Sequence, residues 1–81
     1  MNDDQVQKFT EAIENFDRHL KDLAAQLAEI DQAGGALDVQ LKALQATVPD
    51  ATIKALRAFN KGELSLLQLR EKAILNLLPE N

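Results

Sequence analysis

Apolar residues recur early in the chain at alternating spacings of three and four: Val6, Phe9, Ile13, Phe16, Leu20, Leu23, Leu27 and Ile30. On a helix this spacing lays one unbroken apolar seam along one side, the heptad pattern of coiled coils and bundles. With Val6 at position a, the e positions are Thr10, Asp17, Ala24 and Asp31, and the g positions are Gln5, Ala12, His19 and Gln26. A parallel zipper carries Glu and Lys at these flanks to select its partner. Here small and neutral residues dominate, and Ala24, Ala25 and Ala28 widen the stripe, which suits antiparallel packing against more than one neighbour. The opposite face carries Glu14, Arg18, Asp17, Lys21 and Asp22 at mixed i,i+4 spacings, which marks it as the wet side.

The seam reaches Ala33-Gly34-Gly35-Ala36 and continues in phase through Leu37, Leu41, Leu44 and Val48. A single helix through residue 47 would keep the seam intact, but two interior glycines cost about 2 kcal/mol relative to alanine. A break uses Gly34 as a left-handed C-cap, makes an antiparallel hairpin, and places Asp38 in the first turn of the next helix. The break is the favoured expectation, and the in-phase continuation is the argument against it.

Later boundaries carry stronger punctuation. Thr47-Val48-Pro49-Asp50 reads as a capping box with proline in the first turn. Ile53, Leu56 and Phe59 then line one face until Asn60-Lys61-Gly62 ends the helix. Ser65-Leu66-Leu67-Gln68 is a second capping box, with Leu64 and Leu69 at the staple positions. The last helix is expected to run to about Leu78 and stop at Pro79. Its apolar residues spread around the axis: Leu64, Leu67, Ile74, Leu75 and Leu78 on one side, with Leu66, Leu69, Ala73 and Leu77 beyond them. Such a helix needs cover on more than one side.

The expected architecture is therefore all-α. It is a helical hairpin or small helical bundle, with a long coiled-coil-like helix first and shorter helices after it. Helices are placed at about 4–33, 36–47, 48–60 and 65–78, within one domain over 1–81. The bulk numbers agree, since 46% of residues are hydrophobic and 27% charged. Leucine and alanine dominate, both strong helix formers, and residues that favour strands are scarce.

Charge changes the picture modestly. The net charge is −4. Residues 1–48 hold nine acidic and four basic side chains, against four and five in residues 49–81. The acidic half argues against phosphate binding by the first helix. The polar, acidic start is unlike a secretory signal, and no apolar run approaches the roughly 20 residues that span a bilayer. A cytoplasmic location is the resulting expectation, with no membrane partner.

Candidate chemistry is sparse. The chain has no cysteine, one histidine and one serine, and that serine already reads as a cap. His19 lacks the nucleophile and orienting carboxylate that a general base requires, so it is expected at the edge of an interface. Asp17 and Asp22 do not form the Glu-x-x-His pattern of di-metal bundles, and Glu11 and Glu14 read as solvated charges. Gly34-Gly35 lacks the surroundings of a phosphate loop, and Asn60-Lys61-Gly62 reads as a helix end. No enzyme activity, cofactor, metal or small-molecule substrate is expected. The helices near 48–60 and 65–78 could form a helix-turn-helix, the alternative reading as a nucleic-acid binder. Its second helix opens Leu66-Leu67-Gln68-Leu69, however, and Lys54, Arg57, Lys61, Arg70 and Lys72 make a thin basic footprint.

A helix of about 30 residues is some 45 Å long, and a partner at about 36–47 covers less than half of it. Something else must shelter the rest. A second copy is the simplest candidate, because closed two-fold dimers are the commonest oligomers. The expectation is a non-enzymatic interaction module, an adaptor, regulator or small chaperone. Its partners are expected to be its own copies, as a dimer or tetramer, or another helical protein, and not nucleic acid. Phe9, Ile13, Phe16, Leu20, Leu23, Leu27 and Ile30 form the expected self-association seam. Leu66, Leu69, Ile74 and Leu77 form a second apolar surface for core or partner.

Overall fold

Each helix begins and ends where local chemistry allows it. The computed structural model describes residues 2–77, which contain four helices and no strand. Helix α1 spans Asp3–Gln32, 30 residues. Its first turn is closed by Asn2, whose side-chain oxygen accepts the Gln5 backbone N–H at 2.9 Å. The Gln5 side chain accepts the Asn2 backbone N–H in return, at 3.4 Å. Two donors that a helix start leaves unpaired are thereby satisfied. Asp3 and Asp4 lie in this turn, where the helix dipole favours their charge.

The helix stops after Gln32 because Gly34 (φ 59) and Gly35 (φ 95) both take left-handed backbone. That conformation is open to glycine and costly for other residues. The reading with a break therefore holds, and a continuous helix through residue 47 does not form. Helix α2 follows at Asp38–Thr47, with Asp38 in its first turn.

The next boundary differs from expectation. Helix α3 spans Asp50–Asn60 and starts after Pro49 rather than at Val48. Proline disfavours helical backbone in the residue before it, and Val48 is extended (φ −117, ψ 125). Pro49 occupies the N-cap, and no side chain caps the helix. Thr47, expected to cap it, instead donates its hydroxyl back to the Leu44 carbonyl at 3.2 Å.

Helix α4, Leu66–Leu77, does carry its box. Gln68 N–H donates to the Ser65 hydroxyl at 3.1 Å, and Ser65 N–H donates to the Gln68 side chain at 2.9 Å. The expected stop at Leu78 and Pro79 lies outside the described residues, as does the Leu77 side chain.

The core draws on all four helices and the α2–α3 link. Leu20, Ala24 and Leu27 of α1 meet Leu44, Val48, Ile53, Ala55, Leu56, Leu69 and Ala73. Here α1 packs chiefly against α3, and α3 in turn against α4, with α2 contributing less. The main cover for α1 is therefore α3, rather than the hairpin partner next to it in sequence.

Polar ties reinforce this arrangement at its margins. Arg57 of α3 grips Asp31 of α1 with two hydrogen bonds of 2.9 and 3.0 Å. Arg70 of α4 grips Asp17 of α1 in the same forked manner, with one bond of 2.7 Å. Asn60 donates to the Ala24 carbonyl at 2.9 Å, and Asn76 donates to the buried Thr52 hydroxyl at 3.0 Å. Among the described residues these two arginine–aspartate contacts are the ion pairs. The i,i+4 pairs expected along α1 do not close. Asp17 is taken by Arg70, and Arg18 donates to Asn15 at 3.0 Å.

Candidate functional site

The apolar seam of α1 is divided by the fold. From Leu20 onward it belongs to the chain's own core, with Leu20 at 2% and Leu27 at 0% exposure. Leu23 and Ile30 are half-buried against that core. Before Ile13 the helix leaves the bundle, and residues 3–12 are all exposed. This free arm carries Val6, 48% exposed, and Phe9, 62% exposed. At its root Ile13 and Phe16 are half-buried, Phe16 against the core. The molecule is accordingly elongated, 50 × 29 × 23 Å.

This division corrects the expected interface. Leu20 and Leu27 are sealed inside the chain, so they serve its core and offer nothing to a partner. The same holds for Leu69, 0% exposed, whereas Leu66 is half-buried and Ile74 is 44% exposed. The structure brings Leu20, Leu27 and Leu69 together and leaves Phe9 and Ile74 apart on the surface. The cause is α3, whose buried face of Ile53 and Leu56 fills the space that the heptad pattern assigned to another chain.

The root of the arm is held electrostatically. Hydrogen bonds from Arg70 keep the Asp17 carboxyl below the ordinary aspartate range. They outweigh the desolvation that opposes them, and the charges of Arg70 and Lys21 assist. Asp31 is lowered for the same reason by Arg57, with Lys61 assisting. The arginines are shifted upward by the same contacts. Arg57 and Arg70 thus spend their charge within the chain, which thins the basic footprint of the α3–α4 pair further.

Among the clefts that border these surfaces, three bear on the apolar residues. One of about 430 Å³ lies between α1 and α2, with Leu23, Ile30, Leu37 and Leu44 among its lining. One of about 130 Å³ sits beside Phe16 and His19, floored by Leu20, Val48 and Ala73. His19 is exposed at this rim. The third feature is a groove between α3 and α4. Its two parts, about 230 and 220 Å³, share Ala51 and Lys72. Lys54, Ala58 and Leu64 line one part, and Leu75 lines the other. Among the described residues no cluster of three or more His, Cys, Asp or Glu could hold a metal ion. Nor is any helix among them long and apolar enough to cross a membrane.

Comparison with protein-family models, curated proteins and solved structures finds no match. The site must be read from its own geometry.

Sequence reasoning passed over several residues of this surface. Val6 stands in the seam but was not assigned to the interface, although it is among its most open members. Leu67 and Leu75, 54% and 65% exposed, and Val39, 79% exposed, are further uncovered apolar residues. The α3–α4 groove was missed altogether. Its signal is the small-residue row Ala51, Ala55 and Ala58 beside Lys54, which carries no large apolar side chain.

Proposed function

We propose that this chain is a non-enzymatic protein–protein interaction module, an adaptor-type helical bundle that works as a homo-oligomer through the free arm of α1. The observation that carries the reading is the uncovered stretch of residues 3–12, where Val6 and Phe9 stand open on a well-capped helix. The nearly three helical turns of residues 3–12 are exposed along their whole length among the described residues. Isolated helices of this length are marginal in water, and packing an apolar face is what normally stabilises them. Covering a phenylalanine side chain is worth about 2 kcal/mol.

Sedimentation over a range of concentrations tests the reading. The parent chain is expected to exceed its 9.0 kDa monomer mass as concentration rises. Phe9→Asp should weaken association at least tenfold, since each 1.4 kcal/mol is a factor of ten, while its circular dichroism stays helical. A parent chain that remains monomeric throughout would overturn the reading.

A further inference from the structure

We propose that the receptor for the arm is the α3–α4 groove of another copy, so that the chain associates head to tail. This rests on the arm being a contact surface and names what it contacts. Three observations carry it.

The first is charge. Residues 3–14 hold Asp3, Asp4, Glu11 and Glu14 against Lys8 alone, a net charge of −3. Asp3 flanks the Val6–Phe9 stripe, while Glu11 and Glu14 lie toward the far side of the helix, by the spacing of these positions. Two arms meeting each other would bring like charges together. The charged residues lining the groove are Lys54 and Lys72, both exposed. An acidic, apolar helix meets opposite charge there and like charge at its own twin.

The second is shape. Ala51 and Ala58 keep the groove floor low, and Leu64 and Leu75 form apolar walls at its two ends. Small residues let a third helix approach closely, and Leu75, 65% exposed, lacks cover without one. Along α3, from Ala51 to Ala58, the groove runs about 10 Å at helical rise, the length of about two turns of the arm.

The third is topology. Arg57 and Asn60 mark the side of α3 that faces α1, through their bonds to Asp31 and Ala24. Ala51 and Ala58 lie well away from that side of α3, and Lys54, three residues before Arg57, sits at the boundary between the two, by helical spacing. The arm continues straight from the packed half of α1, so it cannot reach around to its own groove. The occupant is a second copy, and the contact is heterologous.

A complementation experiment decides the point. The arm variant Phe9→Asp keeps an intact groove, and the groove variant Lys54→Glu/Lys72→Glu keeps an intact arm. Each alone is expected to lose at least tenfold in association, with helicity unchanged. Mixed in equal amounts, they should form a two-copy complex at close to the parent affinity, weakening severalfold as salt is raised. If the groove variant associates like the parent, or the mixture stays monomeric, the groove assignment falls while the arm remains a contact. If Phe9→Asp itself associates like the parent, the reading beneath falls too.

Discussion

At the scale of the residue, the bonds that position the arm are those of Arg70 to Asp17, with Arg57 to Asp31 holding the far end of the same helix. Both are forked arginine–carboxylate contacts, the geometry that gives a surface ion pair measurable value. Each carboxyl titrates below its ordinary range in the folded chain. Both therefore contribute stability above about pH 4, where an unfolded aspartate is ionised, and that contribution is lost as pH falls through the lowered folded values. The melting temperature of the parent should fall between pH 5 and pH 2, to about the extent that linkage demands. The double variant Asp17→Asn/Asp31→Asn should start lower at pH 7 and show a flatter profile. Equal acid sensitivity in the two proteins would assign no role to these pairs.

At the scale of the element, the boundary between α1 and α2 rests on backbone conformation alone. A Cβ added at Gly34 would meet nothing within 4 Å, so no clash opposes a larger residue there. The obstacle is its φ of +59. Gly34→Ala is expected to destabilise the fold by about 1 kcal/mol, the penalty for a left-handed alanine. Gly34→Asn should cost less, because asparagine tolerates that region. Urea denaturation of the three proteins checks the order. A neutral or stabilising alanine would show that the turn relaxes into helix, the arrangement the in-phase seam would otherwise favour.

At the scale of the whole molecule, the same apolar seam is core in one part and open in another, and substitution should separate the two. Leu27 is fully buried among α1 and its neighbours. Leu27→Ala should therefore cost about 2–5 kcal/mol, a cavity penalty paid within one chain. Its denaturation midpoint should fall even at dilutions where no oligomer exists. Phe9→Asp should leave that dilute midpoint nearly unchanged. Leu20→Asp, at 2% exposure, should unfold the chain rather than merely dissociate it. If Leu27→Ala melted like the parent when dilute, the intramolecular core described above would be refuted.

Much of the fold was legible because short-range rules govern it. The seam from Val6 to Ile30 announces a long helix, Gly34 and Gly35 announce its end, and Ser65 with Gln68 announces the start of α4. Each depends on residues within a turn or two of one another. Thr47 misled for a related reason: a box of the right residue types was read without weighing the constraint that Pro49 places on Val48. The interface was harder to read. Leu20 and Val6 occupy equivalent seam positions, and nothing local separates the buried one from the open one.

Sequence by itself determined the helical class, the glycine break and the Ser65 cap, since helix propensity, left-handed backbone and capping bonds act over a few residues. Only the tertiary structure decided which part of the seam is core and which is free. That choice depends on where α3 and α4 come to rest, with Leu56 and Leu69 closing over Leu20 and Leu27 while residues 3–12 extend past them. Burial belongs to the assembled neighbours rather than to the residue that is buried.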